Sequence, residues 1–450
     1  MLSDPIVALA TPPGRSAIAV IRLSGTGVRE VAARCLRPFP GAPRTMLRTR
    51  LVHAATGDAI DEPLAAWYAA PRSYTGEDMV EVFTHGGLLV PAGGVAAFVA
   101  VGARPAAPGE FTRRALLNGK LDLLQAEATA DLIDAGSPVQ RQRALQQLDR
   151  GLSQRLEALR GELLALEALM AYDIDFPDED EGPVSAERVA HAWRAARDRL
   201  AHLLKTAPEG ERLHDGALLV IAGRPNAGKS SLFNALLGRE RAIVTEIPGT
   251  TRDAIEATAV IEGFPFRLVD TAGLCASEDR VEKLGIEVSR RYLEAADLIL
   301  FCEEMGEAGR GKREASARDE FLARCTAPVV TVQTKADLPF PLPASRFPRV
   351  SALTGEGLDA LKRKLAEVAF GQLLSLGDVE PVVTRARHRV ALERALGEVE
   401  AFQVARAQGV DAVAAATHLR ASVGALDELI GAVTPDDVLE RVFATFCVGK

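Results

Sequence analysis

Gly223, Gly228, Lys229 and Ser230 stand in the order G-x-x-x-x-G-K-S, filled out by Arg224, Pro225, Asn226 and Ala227. Glycines at that spacing let backbone N–H groups turn onto phosphate oxygens, and a helix opening at the lysine adds the positive end of its dipole. Asn226, Ala227, Gly228 and Ser231 would then line the phosphates, Lys229 would reach the β- and γ-phosphates, and the Ser230 hydroxyl would hold Mg2+. The apolar run Leu218–Ala222 before the loop reads as a strand, and Ser231–Leu237 after it as a helix. A Gly-rich strand–helix turn that binds nothing would not need the lysine and serine together.

Further segments follow in the order a guanine-nucleotide hydrolase requires. Asp270-Thr271-Ala272-Gly273 ends a short strand; Asp270 suits the Mg2+ shell, and the Gly273 N–H can meet a γ-phosphate. Between the two motifs lies Pro248–Asp253, polar and glycine-containing, in which Thr251 is placed to close on Mg2+ and the γ-phosphate alongside Thr250. Lys229 and Thr251 are thus candidates for catalysis as well as for binding.

The base would be read by Thr334-Lys335-Ala336-Asp337 after the apolar run Pro328–Val332. A carboxylate at Asp337 accepts from guanine N1–H and the 2-amino group. Adenine offers neither donor, and a buried unpaired acceptor costs about 1–3 kcal/mol. The motif usually opens with Asn; Thr334 keeps one hydroxyl and loses the paired donor and acceptor of the amide, so guanine selectivity is expected with weaker affinity. Ser351-Ala352-Leu353 can supply backbone N–H to guanine O6.

The residue after Gly273 is Leu274, which cannot orient a water molecule, whereas Ras-like proteins place Gln there. Glu282 is the nearest substitute. On sequence alone it reads equally well as a solvated helix acid paired with Lys283 or Arg280.

These residues need a framework, and 450 residues, 48% apolar and 25% charged, allow two or three globular domains. No apolar run reaches membrane-spanning length, and the first residues lack a secretory pattern, so a cytoplasmic location is expected. Cys35, Cys275, Cys302, Cys325 and Cys447 are scattered without C-x-x-C pairs, which suggests neither zinc nor a disulfide frame. Cys447 reads as a small buried apolar group rather than a reactive thiol. The formal net charge of -8 argues against unaided RNA binding, for which a basic face is the rule.

Leu145, Leu148, Leu152, Leu156, Leu159, Leu163, Leu166 and Met170 recur at steps of three and four, predicting one stripe along a single helix that ends in the acidic run Asp173–Glu181. Val189, Trp193, Ala196, Leu200 and Leu203 mark another helix leading to the phosphate-loop strand. Beyond Pro381 the pattern is helical again at Val390, Leu396, Val399 and Phe402, then at Leu426, Leu429 and Ile430. Thr434-Pro435 suits the start of a last helix. The expected organisation is an α+β domain at 1–118 with strands such as Ala17–Leu23 and Met79–Phe83, and an all-α domain at 119–213 and 374–450. An α/β phosphate-loop domain with a mostly parallel sheet, 214–373, is inserted into the latter.

The whole chain resembles the MnmE (TrmE) family of tRNA wobble-uridine modification GTPases. The resemblance rests on Ala10–Arg15, Ser73–Asp78 with His85-Gly86-Gly87, Pro108–Thr112, Asn118–Leu123, Asp175–Glu179 and the terminal Phe446-Cys447-Val448-Gly449-Lys450. It implies an N-terminal folate-binding domain that dimerises, a helical domain and an inserted G domain. It also implies a partnership with the FAD-dependent protein MnmG that builds a carboxymethylaminomethyl-type group at C5 of the wobble uridine; from the acidic net charge, tRNA is expected to be held mainly through that partner. Motif by motif, 5-formyl-tetrahydrofolate would fall to Arg22, Glu81, Lys120 and Lys450, although Glu81 also fits an outward position on an alternating strand. K+ would be bound by Asn226 with oxygens of Thr245, Ile247 and Thr250, Thr245 thereby joining the nucleotide site. Glu282 matches the family's water-orienting glutamate, and Cys275 stands where the family usually has Arg. A ribosome-assembly GTPase uses the same motifs but would call for a basic or KH-like extension.

Overall fold

In the computed structural model, the described residues are 3–175, 185–224, 226–238, 255–270, 291–304, 325–338, 347–376, 380–432, 436–444 and 446–449. They form two compact units. One comprises Met1–Ala130, Leu148–Glu157 and Leu426–Lys450; the other comprises Asp131–Gln147 and Ala158–Ala425.

The first unit contains β1 (Ile6–Leu9), β2 (Gly14–Ser24), α1 (Val28–Cys35), β3 (Leu36–Arg37), β4 (Leu47–Arg48), β5 (Arg50–Val52), β6 (Ala59–Asp61), β7 (Leu64–Tyr68), β8 (Met79–Gly87), α2 (Leu89–Ala100), β9 (Arg104–Pro105), α3 (Glu110–Leu117) and most of α4 (Leu123–Asp134). Its larger sheet runs β4-β7-β8-β2-β1-β9. The pleat sends alternate residues to opposite faces. Ala19, Ile21 and Leu23 of β2 and Val80 and Val82 of β8 therefore enter the core, with α1 and α2 over them. Arg22 and Glu81, paired directly across these antiparallel strands, share the other face. The strands expected at Ala17–Leu23 and Met79–Phe83 are these two.

The second unit holds most of α5 (Pro138–Leu148), most of α6 (Gly151–Asp175), α7 (Ala186–Asp215), β10 (Ala217–Gly223), α8 (Lys229–Leu237), β11 (Ile255–Ile261), β12 (Phe264–Asp270), β13 (Leu298–Glu304), β14 (Val329–Thr334), α9 (Leu358–Leu376), α10 (Ala386–Ala407) and most of α11 (Ala412–Ile430). A last helix, α12 (Asp436–Ala444), returns to the first unit. The sheet order is β11-β12-β10-β13-β14, parallel except for β11. β10, β12 and β13 are covered on both sides, which is why Leu218–Ala222 is an uninterrupted apolar run. Phe370 of α9 stacks on Phe264 at 4.5 Å and meets Phe266 edge-on at 5.6 Å, sealing one face of the sheet.

One expectation needs correction. The stripe from Leu145 to Met170 is not on a single helix, because Arg150 adopts a left-handed φ of 64° and separates α5 from α6. Leu152, Leu156, Leu159, Leu163, Leu166 and Met170 are buried along α6, whereas Leu145 of α5 is exposed. A residue outside the right-handed region resets the helical phase, so periodicity across it has no common face. In α10 the inward residues are Leu392, Ala395, Val399 and Phe402, while Val390 points to solvent.

Candidate functional site

The phosphate loop is built by β10 and α8. Gly228, the N-cap of α8, has φ 79°, and Asn226 before it has φ 63°. Two left-handed residues turn the chain tightly enough for α8 to start at Lys229. Gly223 is glycine for a different reason: a Cβ there would lie 2.4 Å from the carbonyl oxygen of Cys302 on β13. Burial pushes the Cys302 thiol up to about 12, so it serves as apolar packing behind the loop. Lys229 is only 6% exposed, and its ammonium donates to Gly223 O at 2.9 Å and Arg224 O at 2.7 Å.

At the end of the neighbouring strand β12 sits Asp270. The Ser230 hydroxyl donates to its Oδ2 at 2.6 Å, so two segments 40 residues apart present a hydroxyl and a carboxylate side by side. Hard oxygen donors of this kind, next to a phosphate cradle, suit Mg2+. The two residues that the sequence offered separately for Mg2+ thus lie side by side.

Thr334 ends β14, and its side chain turns to the backbone of neighbouring segments. Its hydroxyl reaches Ala227 O at 2.7 Å and Glu303 O at 3.0 Å, tying the phosphate loop to β13 and β14. One proton serves two carbonyls, whereas an asparagine amide has two. Lys335 takes a left-handed φ of 60° and carries the chain to Asp337. The buried Ser351 hydroxyl donates to Asp337 Oδ1 at 2.6 Å and accepts from the N–H of Leu353 and of Thr354 at 3.3 and 3.1 Å. Ser351 thus links the Asp337 carboxylate to the turn of Ala352 and Leu353. Asn226, Ser230, Ser231, Asp337 and Leu353 are exposed and Ala227 is buried.

A second cluster lies in the first unit. Arg22 Nη2 contacts Glu81 Oε1 at 2.8 Å, its Nη1 donates to Gly449 O at 3.2 Å, and the Tyr68 hydroxyl meets Glu81 Oε2 at 3.4 Å. The guanidinium lies 5.6 Å from the Tyr74 ring centroid and 5.8 Å from that of Phe111. Neither Tyr68, Tyr74 nor Phe111 was anticipated; the strand alternation that puts Arg22 opposite Glu81 was the available signal. A cation, a carboxylate and two aromatic faces suit a planar heterocycle with an acidic tail. Lys120 is exposed, its ammonium donating to Pro71 O at 3.1 Å. Cys447, expected to be buried, is exposed. It is Phe446 that packs inward there, against Leu123, Leu439 and Phe443.

Thr245, Ile247, Thr250, Thr251, Thr271, Ala272, Gly273, Cys275, Glu282 and Lys450 lie outside the described residues.

Residues 5–120 match the family model for the GTP-binding protein TrmE N-terminus, and residues 123–447 match that for the MnmE helical domain. The chain belongs to the MnmE (TrmE) family. A protein of Thermus thermophilus bearing the name tRNA modification GTPase MnmE is 44% identical over 459 residues, covering 100% of this chain and 99% of that one. Relatives of the same name from Moorella thermoacetica and Aquifex aeolicus are each 40% identical, with 100% of both chains covered. Among solved structures, the G domain of the Thermotoga maritima FeoB iron transporter is 28% identical over 34% of this chain and 98% of that one, with a TM-score of 0.26, too low to add to the assignment. The MnmE architecture of N-terminal domain, helical domain and phosphate-loop G domain accounts for the sheets and helices described above.

Proposed function

We propose that this chain is a GTP hydrolase whose cycle serves the modification of tRNA. The observation that carries the reading is the meeting of three motif segments in one fold: Lys229 and Ser230 at the start of α8, Asp270 on β12, and Asp337 held by Ser351. The relatives' name, borne along the full length of the chain, supplies the class of substrate.

Within that reading, Lys229 leaves its loop carbonyls to meet the β- and γ-phosphates, and Ser230 with Asp270 and Thr251 holds Mg2+. Asn226, together with Thr245, Ile247 and Thr250, binds K+, which offsets charge developing between β- and γ-phosphate. Glu282 orients the attacking water. Asp337 accepts from guanine, and Ser351-Ala352-Leu353 faces O6. In the first unit, Arg22, Glu81, Lys120 and Lys450 bind a 5-formyl-tetrahydrofolate-type cofactor. The finer chemistry is addition of a carboxymethylaminomethyl-type group at C5 of the wobble uridine, by a homodimer working with an FAD-dependent MnmG-type protein that brings the tRNA. The acidic net charge of -8 supports leaving most RNA contact to that partner. Among the described residues, no helix is long and apolar enough to cross a membrane.

The experiment is GTP turnover in K+ against Na+, with wobble-uridine nucleoside analysis in a deletion strain. Faster turnover in K+ and unmodified wobble uridines support the proposal; fully modified uridines in the deletion strain sink it. Glu282→Ala should slow hydrolysis strongly with GTP binding nearly intact. An equal loss of binding would make that residue structural.

A further inference from the structure

The G-domain sheet is joined to the helices of its unit at two places that are bonded very differently. On one side α7 leads into β10, and α9 leads out toward α10. α9 is broken at Phe370, whose φ and ψ are -137° and 28°. The break frees amides and a carbonyl, and α7 takes up both. Glu209 accepts from Gln372 N at 3.0 Å and Leu373 N at 2.8 Å, and Arg212 donates to Ala369 O at 3.0 Å. Arg212 also contacts Asp297, which itself holds Leu218 N at 2.9 Å at the base of β10. Gly210 lets Val383 pass so closely that a Cβ would sit 1.9 Å from its carbonyl oxygen. This side is saturated with bonds and tightly packed.

The other side is made by α5. Ser137 caps it, and Val139 packs on the G-domain core. Val139 N also meets Gly263 O at 3.3 Å. Glu262 and Gly263, with φ of 52° and 83°, form the two-residue tip of the β11–β12 hairpin. In sequence that hairpin joins the segment of Thr250 and Thr251 to the one opening at Asp270. α5 also holds the end of α7, Gln140 Nε2 donating to Leu213 O at 2.9 Å and His214 O at 3.2 Å, and the exit segment, Arg143 donating to Glu380 O at 3.0 Å. Yet this side is unfinished. A cavity of about 60 Å3 opens among Asp131, Gln140, Arg143, Gln147, His214 and Thr384. Gln147 Nε2 and Thr384 Oγ1, both on residues more than nine-tenths buried, have no hydrogen-bond partner among the described residues.

Two buried polar groups that face a cavity leave α5 room for a second arrangement in which they bond to protein. We infer that α5 is a latch on the inter-motif hairpin and the Glu209–Arg212 clamp is a fixed pivot. Nucleotide state shifts the Gly263 tip, α5 follows into the cavity, and the helices of the unit receive the movement. This rests on the GTPase reading and supplies its output path. The coupling claimed is a two-state element biased by the nucleotide, not a chain of contacts alone.

The test is amide hydrogen exchange on the full chain with Mg2+ and K+, with GDP and then with a non-hydrolysable GTP analogue, after binding of each has been titrated. Exchange in residues 138–148 should differ about threefold or more between the two states, while residues 369–373 stay unchanged. Gln140→Leu, and separately the milder Val139→Ala, should abolish the α5 response with the GTP hydrolysis rate within about twofold of the parent. Bound nucleotide with identical α5 exchange in both states overturns the latch, as does a response at 369–373 equal to that of α5. Failure of either nucleotide to bind overturns the GTPase reading and the latch with it.

Discussion

The Ser230 hydroxyl donates to Asp270 Oδ2 across 2.6 Å, joining the start of α8 to the end of β12. Both groups offer oxygen to a small hard cation, and each holds the other in place before it arrives. Ser230→Ala removes one ligand and leaves Asp270 without this donor. Mg2+-dependent affinity for GTP is expected to fall about tenfold or more, with affinity in chelator changing little. Titration with and without Mg2+ checks this, and an equal loss in both conditions would place the defect in folding.

Asp337 is exposed and aimed by Ser351. If Asp337 reads guanine as proposed, Asp337→Asn replaces an acceptor by a donor facing N1–H and the 2-amino group. Selectivity should move from GTP toward XTP, whose base has a carbonyl at C2. Ser351→Ala should weaken GTP binding several-fold without changing that preference. Competition between the two nucleotides reads both effects; unaltered GTP preference in Asp337→Asn would remove the carboxylate from base recognition.

Thr334 divides one proton between Ala227 O and Glu303 O. Thr334→Val keeps the shape and removes the donor, costing about 1 kcal/mol per lost bond in a buried site. GDP release should quicken by several-fold. Thr334→Ser should behave as the parent, and Thr334→Asn, with a donor for each carbonyl, should retain GDP longer. Stopped-flow release of a fluorescent GDP decides it, and a Val variant with parental kinetics defeats the idea.

Alanine in place of a mid-helix glycine ordinarily stabilises by about 0.5–1 kcal/mol. At Gly210 the sign reverses, since the new methyl would stand 1.9 Å from Val383 O. Gly210→Ala should lower the melting temperature by several degrees, whereas Gly397→Ala on α10, with nothing within 4 Å, should hold or raise it. Calorimetry of the two variants side by side tests the pair.

In the first unit, Asp4 is held at about 2, chiefly by hydrogen bonds from Arg104. Burial pushes Glu110 up, but bonds from Arg104, the Ala107 N–H and Arg114 outweigh it and leave the carboxyl at about 2. Both values lie below the ordinary 3.8 and 4.5, so acid binds the unfolded chain more readily. The stabilisation is complete above about pH 4.5 and drains away as pH falls toward about 2. Arg104→Met should flatten the loss of stability between about pH 4.5 and about pH 2 in urea unfolding. A slope equal to the parent's would show that these carboxylates are not responsible.

Which parts of this were readable beforehand follows the range of the interactions. The places of Lys229 and Ser230 at a helix start and of Asp270 at a strand end were legible because each motif encodes a local turn and the sheet brings strand ends together by default. The strands at Ala17–Leu23 and Met79–Phe83 were legible from alternation. Arg150 was not: nothing in Asp149-Arg150-Gly151 demands a left-handed residue, so one stripe became two helices. Exposure of Cys447 was hidden because Phe446, one residue earlier, fills the apolar niche. Thr334 showed its chemistry but not its direction, which depends on the carbonyl of Ala227, 107 residues away. The hydrogen bonds of α5 to Leu213, His214 and Glu380 are long-range as well, and no local pattern announces them.

Leu426–Lys450 belongs to the same unit as Met1–Ala130, and Gly449 fits so tightly against Leu9 O that a Cβ would approach to 2.5 Å. The ribosome therefore delivers these pieces of the first body about 300 residues after its sheet. At about 5–20 residues per second, the nascent amino-terminal sheet waits about 15–60 s for its closing strap. During that interval the apolar surface reserved for Phe443 and Phe446 is uncovered, and a truncated message would yield a product that chaperones retain and proteases clear.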